Sequence, residues 1–141
     1  MKTIVSKLLL LKTVTFSMFF LTACNLESQE QSADQEQSVY QKVSPSAFKA
    51  QMNEEKSEYL LVDVRTAGEY EAGAISNSEN HDLLNGDFEK AMANWDPKTP
   101  IYVYCAKGGR SSQAAEMLQQ QGFKKIIELK GGYSSWSMRT N

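Results

Sequence analysis

The sequence predicts an α/β domain built on a parallel sheet, and three observations predict it. Short, nearly continuous apolar runs occur at Tyr59-Leu60-Leu61-Val62-Asp63-Val64, Ile101-Tyr102-Val103-Tyr104 and Ile126-Ile127-Glu128-Leu129, as expected for strands covered on both faces. Helical patterns lie between and after these runs, and strands alternating with helices imply right-handed crossovers and parallel pairing. The chain has 141 residues, 41% of them apolar, which bounds it to one domain with a tail and excludes a disordered or fibrous chain.

Each element has its own local signal. Ser44-Pro45 reads as an N-cap followed by proline at the first helical position, starting a helix through about Asn53. After the first apolar run, Thr66-Ala67-Gly68-Glu69 fits a capping box and predicts a short helix. A weak extended piece follows Ile75. Gly86 to Trp95 has helical spacing in Phe88, Met92 and Trp95 and stops at Asp96-Pro97. Ser112 to Gln121 forms a helix whose Ala115, Met117 and Leu118 are available for packing, with Gly122 suited to its C′ position. Gly131-Gly132 leads into a last short helix containing Trp136.

Ahead of this domain the composition changes twice. Residues 1–23 hold Lys2, Lys7 and Lys12 and no acid, with apolar stretches from Leu8 to Leu11 and from Val14 to Leu21. That is the profile of a secretory signal, short and interrupted for a membrane span; an N-terminal anchor is the alternative. Leu21-Thr22-Ala23-Cys24 resembles the lipobox of bacterial lipoproteins, which implies lipidation of Cys24, cleavage before it, and a cell-envelope location outside the cytoplasm. In a host with two membranes, Asn25 after that cysteine is compatible with the periplasmic face of the outer membrane. Residues 24–38 then form a polar, acidic stretch expected to be a flexible tether, because Leu26 and Ala33 are its only apolar side chains after Cys24. Residues 39–141 carry the folded domain. Without the first 23 residues, twelve basic residues face seventeen acids, a charge of about −5.

One loop stands out. Cys105-Ala106-Lys107-Gly108-Gly109-Arg110-Ser111-Ser112 follows the second apolar run and precedes a helix, and in parallel sheets ligands bind outside the carboxyl ends of strands. A cysteine ahead of a helix N-terminus meets unpaired N–H groups and a dipole that favours its thiolate. Lys107 and Arg110 add positive charge, and Gly108 and Gly109 let the backbone curl so that N–H groups turn inward. The alternative is a buried structural cysteine beside an ordinary glycine turn.

Leu61-Val62-Asp63-Val64-Arg65, Glu69-Tyr70, Gly73, Ile75, Ile101–Cys105 with Gly108 and Arg110-Ser111, and Lys130-Gly131-Gly132-Tyr133 with Trp136 together resemble a single-domain rhodanese over nearly all of 39–141. The resemblance implies a three-layer α/β/α fold around a five-stranded parallel sheet and a nucleophilic Cys105 that carries a persulfide. It implies a sulfurtransferase: the thiolate takes the outer sulfur of a donor such as thiosulfate and passes it to cyanide or a thiol. A protein acceptor is compatible with it, and the second reading is a membrane-tethered persulfide carrier or binding module with little turnover. The loop from Ala106 to Arg110 would bind donor and persulfide. Arg110 has two readings, donor contact or a clamp folding the loop against an acid. Asp63 and Arg65 are expected to form a supporting ion pair. Phosphatases and arsenate reductases of related architecture place five residues between cysteine and arginine; here four, Ala106 to Gly109, separate Cys105 from Arg110, a smaller ring suited to one sulfur atom. Two-domain thiosulfate enzymes carry an arginine where this chain has Glu69, so an anionic donor should gain less here.

Other chemistries find little support. The single histidine, His81, has no cysteine or histidine at metal-ligand spacing, so neither a metal nor a cofactor is expected. Gly131-Gly132 is not part of a phosphate-binding loop and reads instead as a place of close backbone approach. An acidic domain without a basic patch argues against nucleic acid. Cys24 and Cys105 allow at most one disulfide, and with one expected to carry lipid and the other sulfur, none is expected.

Overall fold

The computed structural model describes residues 38–140. Five strands form the sheet: β1 (Val39–Val43), β2 (Leu60–Asp63), β3 (Glu79–Asn80), β4 (Ile101–Tyr104) and β5 (Lys125–Leu129). Five helices surround them: α1 (Pro45–Glu54), α2 (Ala67–Glu71), α3 (Asp87–Met92), α4 (Gly109–Gln120) and α5 (Gly132–Thr140). Every strand pair is parallel, in the order β1-β5-β4-β2-β3, so β4 lies at the centre of the sheet.

Alternation along the strands divides the core in two. Val62, Val64, Ile101, Val103, Cys105 and Ile126 face one way and pack on Phe88 and Met92 of α3 and Ala114, Ala115 and Leu118 of α4. Leu61, Tyr102, Tyr104, Ile127 and Leu129 face the other way, against Phe48 of α1 and, at the margin, Trp136 of α5. This is the three-layer α/β/α arrangement. Strand β4 is apolar throughout, and β2 and β5 are apolar but for Asp63, Lys125 and Glu128, because both faces of these strands are covered.

The local signals act as the residues dictate. Ser44 Oγ accepts the Ala47 N–H ahead of Pro45. At α2 both halves of the capping box form, with Thr66 Oγ1 accepting from Glu69 N–H and Glu69 Oε2 accepting from Thr66 N–H. Gly122, at φ 84°, ends α4 in the left-handed region that glycine occupies without strain.

Strand β1 was not expected, and the weak extended piece expected after Ile75 is the short strand β3. Strand β1 is largely exposed, with only Val43 half-buried. Strand β3 has two residues, paired to Val62 and Asp63. Helix α4 also starts at Gly109, three residues before Ser112. Cys24 and the rest of residues 1–37 lie outside the described residues.

Candidate active site

The central strand delivers Cys105. It follows Tyr104 directly, at the carboxyl end of the sheet, and is a free, buried thiol. Between it and α4 the chain makes a tight turn in which Gly108 adopts φ 108°, a conformation that favours glycine. This aims the Gly108 N–H at Cys105 Sγ, 3.0 Å away. Gly109 has no positive φ and nothing near the place its Cβ would occupy, so only Gly108 supplies the curl expected of both glycines.

Burial pushes the Cys105 thiol up. Hydrogen bonds from the side chain and backbone of Ser111 and from the N–H groups of Gly108 and Lys107 outweigh it and hold the thiol below its ordinary value. The Ser111 hydroxyl has one proton, and its Oγ also stands 2.7 Å from Glu128 Oε1 and 3.2 Å from the Gly108 carbonyl. That proton is therefore contested, and the backbone N–H groups are the undivided part of the thiolate's support.

Behind the loop sits a group that strand pattern alone conceals. Glu128 of β5 is fully buried and accepts from Ser111, from Ser112 Oγ at 3.0 Å and, through a short bond, from Tyr40 OH. Lys42 Nζ is 3.0 Å from Glu128 Oε1 and donates to Ser112 Oγ at 2.8 Å. The parallel register sets Lys42 opposite Glu128, so the exposed strand supplies two of the partners that a buried carboxylate requires. The sequence signal was an acid inside an apolar strand, Ile127-Glu128-Leu129.

Arg110 points across to α2. Its Nη1 and Nη2 donate to Glu69 Oε2 and Oε1, each at 2.7 Å, a bidentate pair. The acid expected for the clamp reading of Arg110 is thus Glu69, the residue that also caps α2. Lys107 is exposed, and Ala106 half-buried. The Arg110 guanidinium is the main reason that the Glu69 carboxyl falls to about 2 from an ordinary 4.5, with Thr66 adding to it against partial burial. A carboxyl with a lower pKa in the folded chain supports folding above pH 4.5, and that support is lost as pH falls towards 2. Because Glu69 is about a third exposed, Glu69→Gln should cost only about 1 kcal/mol at pH 7. Urea midpoints of the two proteins should converge as pH drops towards 2; a gap that persists there would contradict the ion-pair origin.

Asp63 and Arg65 form a buried ion pair, Arg65 Nη2 to Asp63 Oδ2 at 2.6 Å, with Arg65 Nε at 2.9 Å. Arg65 Nη2 also donates to the Gly73 carbonyl at 2.7 Å and the guanidinium lies 4.3 Å from the Tyr133 ring centre. Asn80 Nδ2 ties the carbonyls of Asp63 and Arg65. These bonds order the segment after α2 and the start of α5, and none of them reaches Cys105. From α5, Tyr133 N–H donates to the Cys105 carbonyl at 2.7 Å and Ser134 N–H to the Ala106 carbonyl at 3.1 Å. Gly131-Gly132 is the close approach that the sequence suggested, since a Cβ on Gly132 would stand 2.3 Å from the Cys105 carbonyl oxygen.

His81 lies apart from this loop, 3.2 Å from Glu79 and packed on Trp95. Among the described residues no group of histidine, cysteine or acidic side chains could hold a metal. Two clefts of about 700 and 530 Å³ open elsewhere, one beside Lys56, Tyr59 and Trp95 and the other beside Met52, Ile75 and Trp136. The strand end and the thiol, not cleft size, mark the candidate site.

A buried, hydrogen-bonded thiol at the end of the central strand of a parallel sheet, with its loop curled over it, defines a thiol-centred α/β domain. The rhodanese-like domain family model matches residues 44–139, and the chain belongs to that family. It is 32% identical over 82 residues to a thiosulfate sulfurtransferase of Pseudoalteromonas translucida, covering 58% of this chain and 76% of the relative. It is 35% identical over 98 residues to a proposed sulfur carrier protein of Bacillus subtilis, covering 70% of this chain but only 51% of that one. A crystal structure of a rhodanese-related protein from Thermoplasma volcanium superposes with a TM-score of 0.60 at 27% identity, covering 71% of this chain and 93% of the other.

Proposed function

We propose that this protein is a rhodanese-type sulfurtransferase that carries sulfur as a persulfide on Cys105. The observation that carries the reading is the buried Cys105 Sγ with the Gly108 N–H 3.0 Å away at the mouth of α4. Similarity to a thiosulfate sulfurtransferase supports it. In the first half-reaction the Cys105 thiolate attacks the outer sulfur of a donor. With thiosulfate, a Cys105 S–S bond forms, the donor S–S bond breaks and its electron pair leaves on sulfite. In the second, a thiol or cyanide attacks the outer sulfur of the persulfide and the Cys105 thiolate returns. The loop from Ala106 to Arg110 would hold the persulfide anion through its N–H groups, and the Gly108 N–H pointing at the sulfur supports this. Asp63 and Arg65 would support the site at a distance.

The second reading, a persulfide carrier that passes sulfur to a partner with little turnover, draws on the likeness to a proposed sulfur carrier. The two readings divide at turnover. Incubation of the whole chain with a sulfane donor should add one sulfur to the tryptic peptide that contains Cys105, read by mass spectrometry. Rapid release of that sulfur to cyanide identifies an enzyme, slow release a carrier, and the lack of an adduct with any sulfane donor sinks both.

The domain is further proposed to work from a membrane surface, held by lipid on Cys24. The Leu21-Thr22-Ala23-Cys24 pattern supports this, since two or three acyl chains hold where one is marginal. In a bacterial host, wild type should take up labelled palmitate and sediment with membranes. Cys24→Ala should do neither; labelling that survives it would end the anchor reading.

A further inference from the structure

The mouth of the site holds less positive charge than its two cations suggest. Arg110 is committed to Glu69 through both arms of its fork, at 2.7 Å each. Asp82 adds a second acid within electrostatic reach of the same guanidinium. Lys42, beside Gly108, is taken up by Glu128, which among the described residues of the loop leaves Lys107 as the exposed ammonium. Thiosulfate is a dianion whose three sulfonate oxygens call for a free bidentate donor, and it must approach a thiolate of like charge. A persulfide, R–S–SH, presents two sulfurs and no oxyanion. Its outer sulfur needs only the N–H groups already aimed at Cys105.

From this, and resting on the sulfurtransfer reading, we propose that Glu69 is a specificity residue: by occupying Arg110 it selects small alkyl persulfides over thiosulfate as the sulfur donor. The Cys105 thiolate bonds to the outer sulfur of R–S–SH, the donor S–S bond breaks, and its electron pair leaves on R–S. The proton of the outer sulfur moves to that leaving thiolate, so the products are the Cys105 persulfide anion and R–SH. No oxidant or reductant is required.

Glu69→Gln makes the test clean, because glutamine at this helix position keeps the capping box while removing the charge. Second-order rates of sulfur uptake on the Cys105 peptide are measured for the whole chain with thiosulfate and with 2-hydroxyethyl persulfide. The thiosulfate-to-persulfide ratio should rise roughly tenfold in the variant, the size expected when one unit charge near the site is removed. A merely structural role for Glu69 would lower both rates and leave the ratio in place, so a ratio unchanged within about twofold overturns the assignment. Wild type alone supplies an independent check should the variant not fold. With a neutral mouth, thiosulfate and thiolate repel, so uptake holds steady or rises as salt increases from about 20 to about 300 mM. A fall with salt would mean that Arg110 still draws the dianion in, and would overturn the proposal. If neither donor leaves an adduct on either protein, the sulfurtransfer reading fails and the donor assignment with it; adducts from both with an unmoved ratio sink the donor assignment alone.

Discussion

Cys105→Ser is expected to fold like wild type and to lose sulfur uptake by a factor on the order of 10⁴ or more. The substitution changes one atom in a buried position, and the Gly108 N–H that points at sulfur can donate equally to a hydroxyl, so stability should move by only about 1 kcal/mol. Reactivity is another matter. A serine hydroxyl stays protonated at neutral pH and needs a base beside it. The single histidine is paired with Glu79 and meets the Trp95 ring edge to face. Wild type needs no such base, because the loop itself holds the thiol below its ordinary value against the upward push of burial. The sign of the pH profile follows. Uptake depends on thiolate, so the rate climbs with pH and levels off once the thiol is ionised, with the plateau starting below the free cysteine value of about 8.5. Stopped-flow uptake across pH, beside alkylation of the same thiol, checks this; a plateau at or above the free value would mean that burial wins.

How much of this was legible in sequence depends on how far each signal reaches along the chain. The strands β2, β4 and β5 announce themselves because two covered faces leave few polar positions. Strand β1 does not, since Val39, Tyr40, Gln41 and Lys42 are exposed and follow a polar stretch with no break in character. What makes it a strand is pairing with β5, more than eighty residues away. The thiol loop was visible for the opposite reason: Cys105, Gly108 and Arg110 are local, and a strand followed by a helix is enough to orient them. Long-range partners were not. The clamp reading of Arg110 had no named acid until the fold placed Glu69 against it. Glu128 looked like an interruption of an apolar strand, and only the register that puts Lys42 opposite it gives the carboxylate a role. The glycine pair before Arg110 suggested two special backbone positions, whereas one left-handed residue is all that the turn contains.

Gly132→Ala should be the most damaging conservative change outside the thiol. Its φ is +61° and the added Cβ would fall 2.3 Å from the Cys105 carbonyl oxygen and 2.6 Å from the Ala106 carbonyl carbon. Both are backbone atoms of the site, so no flexible side chain can turn aside. Relief requires α5 to back away, and that breaks the bonds from Tyr133 N–H to the Cys105 carbonyl and from Ser134 N–H to the Ala106 carbonyl. Left-handed strain, a steric clash and two lost hydrogen bonds together should cost about 3 kcal/mol or more. The same retreat frees the turn that aims the Gly108 N–H at sulfur, so the thiol pKa should rise and uptake at neutral pH should fall even in the fraction that remains folded. Gly109→Ala is the control. It lies one residue from Gly108, in α4, without a positive φ and with nothing within 4 Å of where an added Cβ would sit, and alanine there should be neutral or stabilise by up to about 1 kcal/mol. Urea midpoints and the alkylation pH profile of the two variants decide it. Equal behaviour of the pair would mean that contact between α5 and the loop does not hold the site, and that the turn around Cys105 keeps its shape unaided.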